Sequence, residues 1–147
     1  MAARQRMPKP CVFCAIIRGE VSADFVVDEP HVVGFLDSHP LFFGHVLLVP
    51  RQHVETLTDL PTDDIPAFFT TVQRMAGAVE EAMGSDGTMV LNNNVVSQSV
   101  PHLHVHVIPR KRRDGLRFWL GPRKKYADSE DAAAHAARIK SVYDAAG

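Results

Sequence analysis

Ser99-Val100-Pro101-His102-Leu103-His104-Val105-His106-Val107-Ile108-Pro109 sets three histidines alternately with apolar residues between two prolines. Strict alternation over this length predicts a strand, because side chains on a strand repeat with period two. Leu103, Val105 and Val107 then face the core. His102, His104 and His106 share the opposite face, spaced roughly 6.5–7 Å apart. A lone histidine in such a run reads as part of a half-buried strand; three on one face point to chemistry. Imidazole titrates near neutral pH and can be nucleophile, acid, base or metal ligand. Two readings stand open at this point. One is a zinc site made of the histidines themselves. The other is covalent phosphoryl chemistry, in which one neutral imidazole attacks phosphorus and neighbouring donors hold the developing charge.

The rest of the composition bounds these readings. A chain of 147 residues is expected to form a single domain with one real core. The formal charge of −1 provides no global basic field, so nucleic acid is not an expected partner. The run Arg110-Lys111-Arg112-Arg113, with Arg117 and Arg123-Lys124-Lys125, is a local exception. It reads either as a solvated loop or as an attractor for a polyanionic substrate. No stretch approaches the ~18 consecutive apolar residues of a membrane span. The basic N-terminus lacks the apolar segment of a signal peptide, so the expected location is cytoplasmic and no membrane partner is expected. Thiols there stay reduced. Cys11-x-x-Cys14 is then a metal half-site or a redox pair, and with nothing strand-like before Cys11 the metal reading is the better one, given two more ligands.

Along the chain, residues 1–10 read as a disordered arm. Val12 to Arg18 carries a short helical stripe ended by Gly19. Strands are predicted at 25–27, 32–36, 45–49 and 88–91, with Asp28-Glu29-Pro30-His31 as the first turn. Gly34 marks a weak point in its strand, or a close approach by another group. The longest helix starts at Pro61-Thr62-Asp63-Asp64, with Thr62 as cap, and stops at Gly84. Its apolar positions Ile65, Phe68, Phe69, Val72, Met75, Ala76, Val79 and Met83 read as core. Beyond Pro109 lies a basic loop holding Phe118, Trp119 and Tyr126. A final Ala-rich helix follows, capped by Ser129, whose weak apolar face is Ile139, Val142 and Tyr143. Strands fall in hairpin order, so the class is α+β with a mainly antiparallel sheet and no second-domain boundary.

His102-Leu103-His104-Val105-His106-Val107-Ile108 resembles the signature of the histidine triad family of nucleotide hydrolases and transferases. Supporting features are Cys11-x-x-Cys14, Phe35-x-Asp37, Gly44-His45-Val46-Leu47-Leu48-Val49-Pro50, His53 and Gln98-Ser99-Val100. The resemblance runs from about Cys11 to Pro109, giving a triad domain over 11–110 and a basic loop with a C-terminal helix over 111–147. It implies a five-stranded antiparallel sheet with packed helices, a homodimer, and cleavage at the α-phosphate of a purine nucleotide through a nucleotidyl-histidine. By the same resemblance His104 is the nucleophile, His106 contacts phosphate oxygens, and His45 lies beside them. Asn92 and Ser99 bond the phosphate and leaving group, with main-chain N–H groups of Gln98 and Ser99. Asp37 takes the ribose hydroxyls, and Phe13, Ile16 and Phe35 wall the base. The loop Val95-Val96-Ser97-Gln98 departs from the family's glycine-rich Ala-Gly-Gln and is about one residue shorter, so Asn92, Asn93 and Asn94 all remain candidates for the phosphate. Some bacterial members hold structural zinc through residues that correspond to Cys11, Cys14, His53 and His102.

Three functions follow. The first is an AMP-type phosphoramidase or dinucleoside polyphosphate hydrolase. The second is a nucleotide-binding regulatory or scaffold protein with little turnover. The third is a pure zinc-binding module.

Overall fold

The computed structural model of the protein describes residues 10–117 and 121–147. Residues 1–9 of the expected arm, together with Phe118 and Trp119, lie outside the described residues. Helix α1 (Val12–Ile17) precedes strands β1 (Phe25–Asp28), β2 (Val32–Leu36) and β3 (Val46–Pro50). Helix α2 (Ile65–Met83), β4 (Gly87–Leu91), β5 (Val105–Arg110) and α3 (Ser129–Ala146) complete the order. The five strands form one sheet in the order β1-β2-β3-β5-β4. Every pairing is antiparallel.

Alternation along the strands sorts side chains onto two faces. Val32, Val46, Leu48, Leu103, Val105 and Val107 pack with Phe68, Val72 and Val79 of α2. The residues between them, Val33, Phe35, Leu47 and Val49, pack with Phe13 and Ile16 of α1. Full burial of an aliphatic or aromatic side chain such as Leu48 or Phe68 contributes about 1.5–3 kcal/mol. Gly34 is required by this packing: a Cβ there would stand 2.6 Å from both Leu48 Cδ2 and Val27 Cγ1.

Several local expectations are corrected. The histidine stretch is not one long strand, since β5 begins only at Val105 and His102 to His104 form an irregular entry to it. Backbone demands explain this: the Leu103 N–H donates to the Val54 carbonyl, outside the sheet ladder. Strand β3 runs through Pro50, opposite Val32. Thr62 does not cap α2; it opens a 3₁₀ turn over Thr62–Asp64 that leads into the helix with Pro66 in its first turn. Gly84, at φ 59°, ends it as expected. Ile65, Phe69 and Met83 are exposed, because the buried stripe of α2 is narrower than its apolar pattern. Asp128, not Ser129, caps α3, its carboxylate accepting from the Asp131 N–H at 2.8 Å. The chain also divides into two compact units, one ending at Asp114 and one covering Gly115–Gly147. In the second unit, α3 has no buried residue and leaves Ile139, Val142 and Tyr143 exposed.

Candidate active site and metal centre

The sheet face toward α1 carries a cleft of about 640 Å³. Phe35 pairs with Leu47, and Leu47 with His106, so these three make a row across β2, β3 and β5. Phe13 and Ile16 of α1 wall one side; Asp37, His39, Ser99, His104 and His106 also line the cleft. Among the described residues lining it there is no Lys or Arg. A bound anion would therefore meet imidazole, hydroxyl and main-chain donors.

Hydrogen bonds assign the imidazole tautomers. His104 Nδ1 lies 2.7 Å from the His102 carbonyl, so Nδ1 carries the proton and Nε2 keeps a lone pair. The Leu41 N–H donates to His45 Nδ1 at 3.1 Å, which places the His45 proton on Nε2. His45 Nε2 is 2.9 Å from His106 Nδ1 and donates to it. His106 is thereby left with its proton on Nε2. Two adjacent imidazoles, with ring centroids 5.0 Å apart, thus offer a nucleophilic nitrogen and a hydrogen-bond donor. Burial, then the neighbouring His104 and His45, push His106 down to about 4, so it is neutral at physiological pH. Burial also lowers His45, with Asp37 opposing it.

Asp37 Oδ2 lies 3.6 Å from His45 Nε2, while Oδ1 accepts the His39 N–H at 2.9 Å. It is both a turn residue and a carboxylate facing the cleft. The three asparagines now separate. Asn92 donates its side-chain amide to the His104 carbonyl at 3.0 Å. Asn93 donates to the Ser97 carbonyl, and Asn94 Oδ1 accepts from the Leu57 N–H. Gln98 spends its side chain on the Val95 N–H and the Glu55 carbonyl, away from the cleft. This clamp holds a loop in which Val95 and Ser97 adopt φ of 66° and 60°, where a glycine is ordinarily favoured.

Behind the cleft, Cys11, Cys14, His53 and His102 bring one donor atom each within 4.8 Å of the others. Cys11 Sγ is 3.4 Å from His102 Nδ1, Cys14 Sγ 3.6 Å from the same nitrogen, and Cys14 Sγ 3.3 Å from His53 Nδ1. A tetrahedral zinc centre requires S···N edges of about 3.5 Å. His102 Nε2 donates to the Pro50 carbonyl at 2.9 Å, which leaves Nδ1 as the ligand atom. Donor set and spacing therefore fit a metal ion. Burial, then Cys11, raise the Cys14 thiol, and a bound cation acts in the opposite sense.

The HIT domain profile matches residues 18–113, most of the chain and all three triad histidines. The chain belongs to the HIT family. Among its relatives, the adenylylsulfatase of Arabidopsis thaliana is 39% identical over 108 residues, covering 72% of this chain and 55% of that protein. The adenosine 5′-monophosphoramidase of Saccharomyces cerevisiae is 33% identical over 119 residues, covering 79% of this chain and 73% of that one. A HIT family crystal structure from Bacillus subtilis superposes with a TM-score of 0.84 at 30% identity, covering 90% and 96% of the two chains. A Zn-bound histidine triad protein from Mycobacterium smegmatis superposes with a TM-score of 0.69 at 33% identity, covering 90% and 96%. The HIT fold expected from sequence, with its five-stranded antiparallel sheet, is the one observed.

Reading the sequence for side chains missed part of this HIT site. The carbonyls of His102 and Pro50 and the N–H of Leu41 set the imidazole tautomers, yet main-chain groups carry no residue identity to read. Val12, Val21, Ser22, Ala23 and Asp24 also line the cleft, and no motif marked them.

Proposed function

We propose that this HIT protein hydrolyses adenosine phosphoramidates, or related AMP-type phosphoanhydrides such as dinucleoside polyphosphates, at the α-phosphate through a nucleotidyl-His104 intermediate. The observation that carries the reading is the paired tautomer arrangement, His104 Nδ1 on the His102 carbonyl and His45 Nε2 on His106 Nδ1. It leaves an attacking lone pair beside a fixed N–H donor. His104 Nε2 forms a bond to phosphorus as the bond to the leaving amine breaks and the amine takes up a proton from solvent. His106 Nε2–H donates to a non-bridging oxygen and holds the developing charge. Ser99, exposed at the cleft wall, lies on the leaving-group side, and Asn92 braces the main chain of the nucleophile. Water then attacks the nucleotidyl-imidazole, releasing AMP and restoring His104.

The nucleoside occupies the apolar wall of Phe13, Ile16 and Phe35, with Asp37 on the ribose. An adenylylsulfatase and an adenosine 5′-monophosphoramidase among the relatives, which share an adenylyl unit and differ in what is attached to it, support this assignment. Cys11, Cys14, His53 and His102 would hold zinc as a closed set of four protein ligands, with no open position for substrate. The two free cysteines of that centre suit a reducing compartment, so we place the protein in the cytoplasm. Among the described residues no helix is long and apolar enough to cross a membrane. We assign a homodimer, which sedimentation would report as twice the chain mass; a single-chain mass rejects it.

The decisive experiment mixes enzyme with an adenosine phosphoramidate, quenches in acid-labile-safe conditions, and looks for a mass increase of one adenylyl group. Wild type should show it. His104→Ala should bind AMP, show no adduct, and lose turnover by roughly three or more orders of magnitude. AMP binding by the wild type without adduct or turnover would replace this reading with a nucleotide-binding protein that is not an enzyme.

A further inference from the structure

The metal centre and the nucleophile share a residue. His102 offers its ring to the cysteine cluster and its carbonyl to His104 Nδ1, at 2.7 Å. Its ring is fully buried, with Nε2 held 2.9 Å from the Pro50 carbonyl. The ring therefore has two fixed ends once Nδ1 is ligated, and the main chain that carries the carbonyl has little freedom. That main chain lies in the irregular entry before β5, where the bond from the Leu103 N–H to the Val54 carbonyl holds it in place of a sheet ladder. The carbonyl, in turn, decides which nitrogen of His104 keeps the lone pair.

A second route joins the same two places. Phe13 sits between the cysteines in sequence. Its ring meets His104 edge-on, with centroids 5.1 Å apart at 82°, and meets His102 at 5.9 Å and 70°. It also meets Phe35 of the base wall at 5.4 Å. Helix α1 has six residues, too few to be stable by itself. Besides Phe13 and Ile16 in the apolar cluster, its anchor to the sheet is the set of sulfur contacts to His53 and His102. Without a metal these are contacts of 3.3–3.6 Å between weak partners.

We propose that Cys11, Cys14 and His53 are positioning residues of the active site. By closing the metal centre on His102 they hold His104 in its Nδ1–H tautomer, and by holding α1 they keep Phe13 against that ring. The centre is thus more than a staple for stability: it sets the nucleophile's lone pair and the near wall of the nucleoside slot together. This inference rests on His104 being the nucleophile, but its first test does not depend on turnover.

The test compares protein loaded with one zinc per chain, chelator-stripped protein, and His53→Gln, a substitution at an exposed ligand outside the cleft. Imidazole ¹⁵N shifts report the tautomer of His104, and titration calorimetry reports AMP affinity. The zinc form should show a single Nδ1–H tautomer. The stripped form and His53→Gln, still folded by circular dichroism, should show mixed tautomers and weaker AMP binding. Turnover should fall roughly ten- to hundredfold, the range found when groups supporting a metal ligand are removed. Part of that fall should appear in kcat, because the lone pair is misdirected even in saturated enzyme. Should stripping unfold the chain, His53→Gln carries the comparison, since it retains three ligands. An unchanged His104 tautomer and unchanged AMP affinity in a folded, metal-free form overturn the proposal. If instead the tautomer responds to zinc but loaded wild type never turns over any adenylyl substrate, the coupling stands and the hydrolase reading fails.

Discussion

In the proposed reaction the attacking atom of His104 is Nε2, since Nδ1 is committed to the His102 carbonyl. In the same proposal Asp37 holds the ribose. Contacts there would lie off phosphorus and change little as the bond to the leaving group breaks, and so would act as uniform binding. Losing a charged hydrogen-bond acceptor costs on the order of 1.5–3 kcal/mol. Asp37→Ala should raise KM for ribonucleotides by roughly ten- to hundredfold with kcat little changed. Wild type should already prefer a ribonucleotide to its 2′-deoxy analogue, and the variant should lose that preference. Steady-state kinetics with both substrates checks it; an unchanged ratio assigns Asp37 only to the His39 turn it already makes. His45 Nε2 meets His106 Nδ1 at 2.9 Å, with Asp37 Oδ2 3.6 Å from the same nitrogen. Gln98, whose main-chain N–H is the group expected at the phosphate, uses its side chain to clamp the glycine-poor loop through the Val95 N–H and the Glu55 carbonyl.

Among the elements, α1 depends most on its surroundings. Six residues form too few internal hydrogen bonds to persist alone, and the helix is ended by Arg18 and Gly19, the latter at φ 77°. Metal ligation at its first turn should contribute directly to its stability. Purified protein should contain one zinc per chain, and Cys14→Ser should lose it. The melting temperature should drop by about 5 °C or more, as expected when a few kcal/mol are removed from a domain of this size. Elemental analysis with a thermal melt tests this; stoichiometric zinc retained in Cys14→Ser rejects the ligand assignment. Helix α2 shows the opposite case. Its stripe of Phe68, Val72 and Val79 against the sheet, with a left-handed Gly84 after Met83, was legible from spacing alone. Its start was not, because a proline-containing first turn is equally compatible with the 3₁₀ geometry that formed.

For the molecule as a whole, stability should depend on pH through its buried imidazoles. Burial lowers His45, and lowers His106 from 6.5 to about 4. Between those values the unfolded chain binds a proton at His106 that the native state refuses. The unfolded state then holds more protons, so stability is full above pH 6.5 and falls as pH drops toward about 4. Urea denaturation across that window should show the midpoint moving to lower urea with acid. His106→Asn, which removes the titrating group, should flatten the slope. An equal slope in the variant would place the acid sensitivity elsewhere. Arg110, Lys111, Arg112 and Arg113 do not line the cleft. Arg110 is paired with Asp114 at 2.5 Å, and Lys111, Arg112 and Arg113 are exposed, as expected of a solvated loop.

The amino-acid order by itself determined the two faces of the sheet. Period-two alternation puts Val105 and Val107 of β5 against α2 and His106 on the other side. It also determined which residue types are available for chemistry: three imidazoles on one segment and a cysteine pair near the start. Only the tertiary structure decided how those groups are used. A histidine's tautomer is set by the partner of its other nitrogen, and here the deciding partners are a carbonyl two residues back, a carbonyl 52 residues away and an N–H four residues before His45. Those are main-chain atoms brought into place by folding, identical in every residue type, and therefore absent from any pattern of side chains.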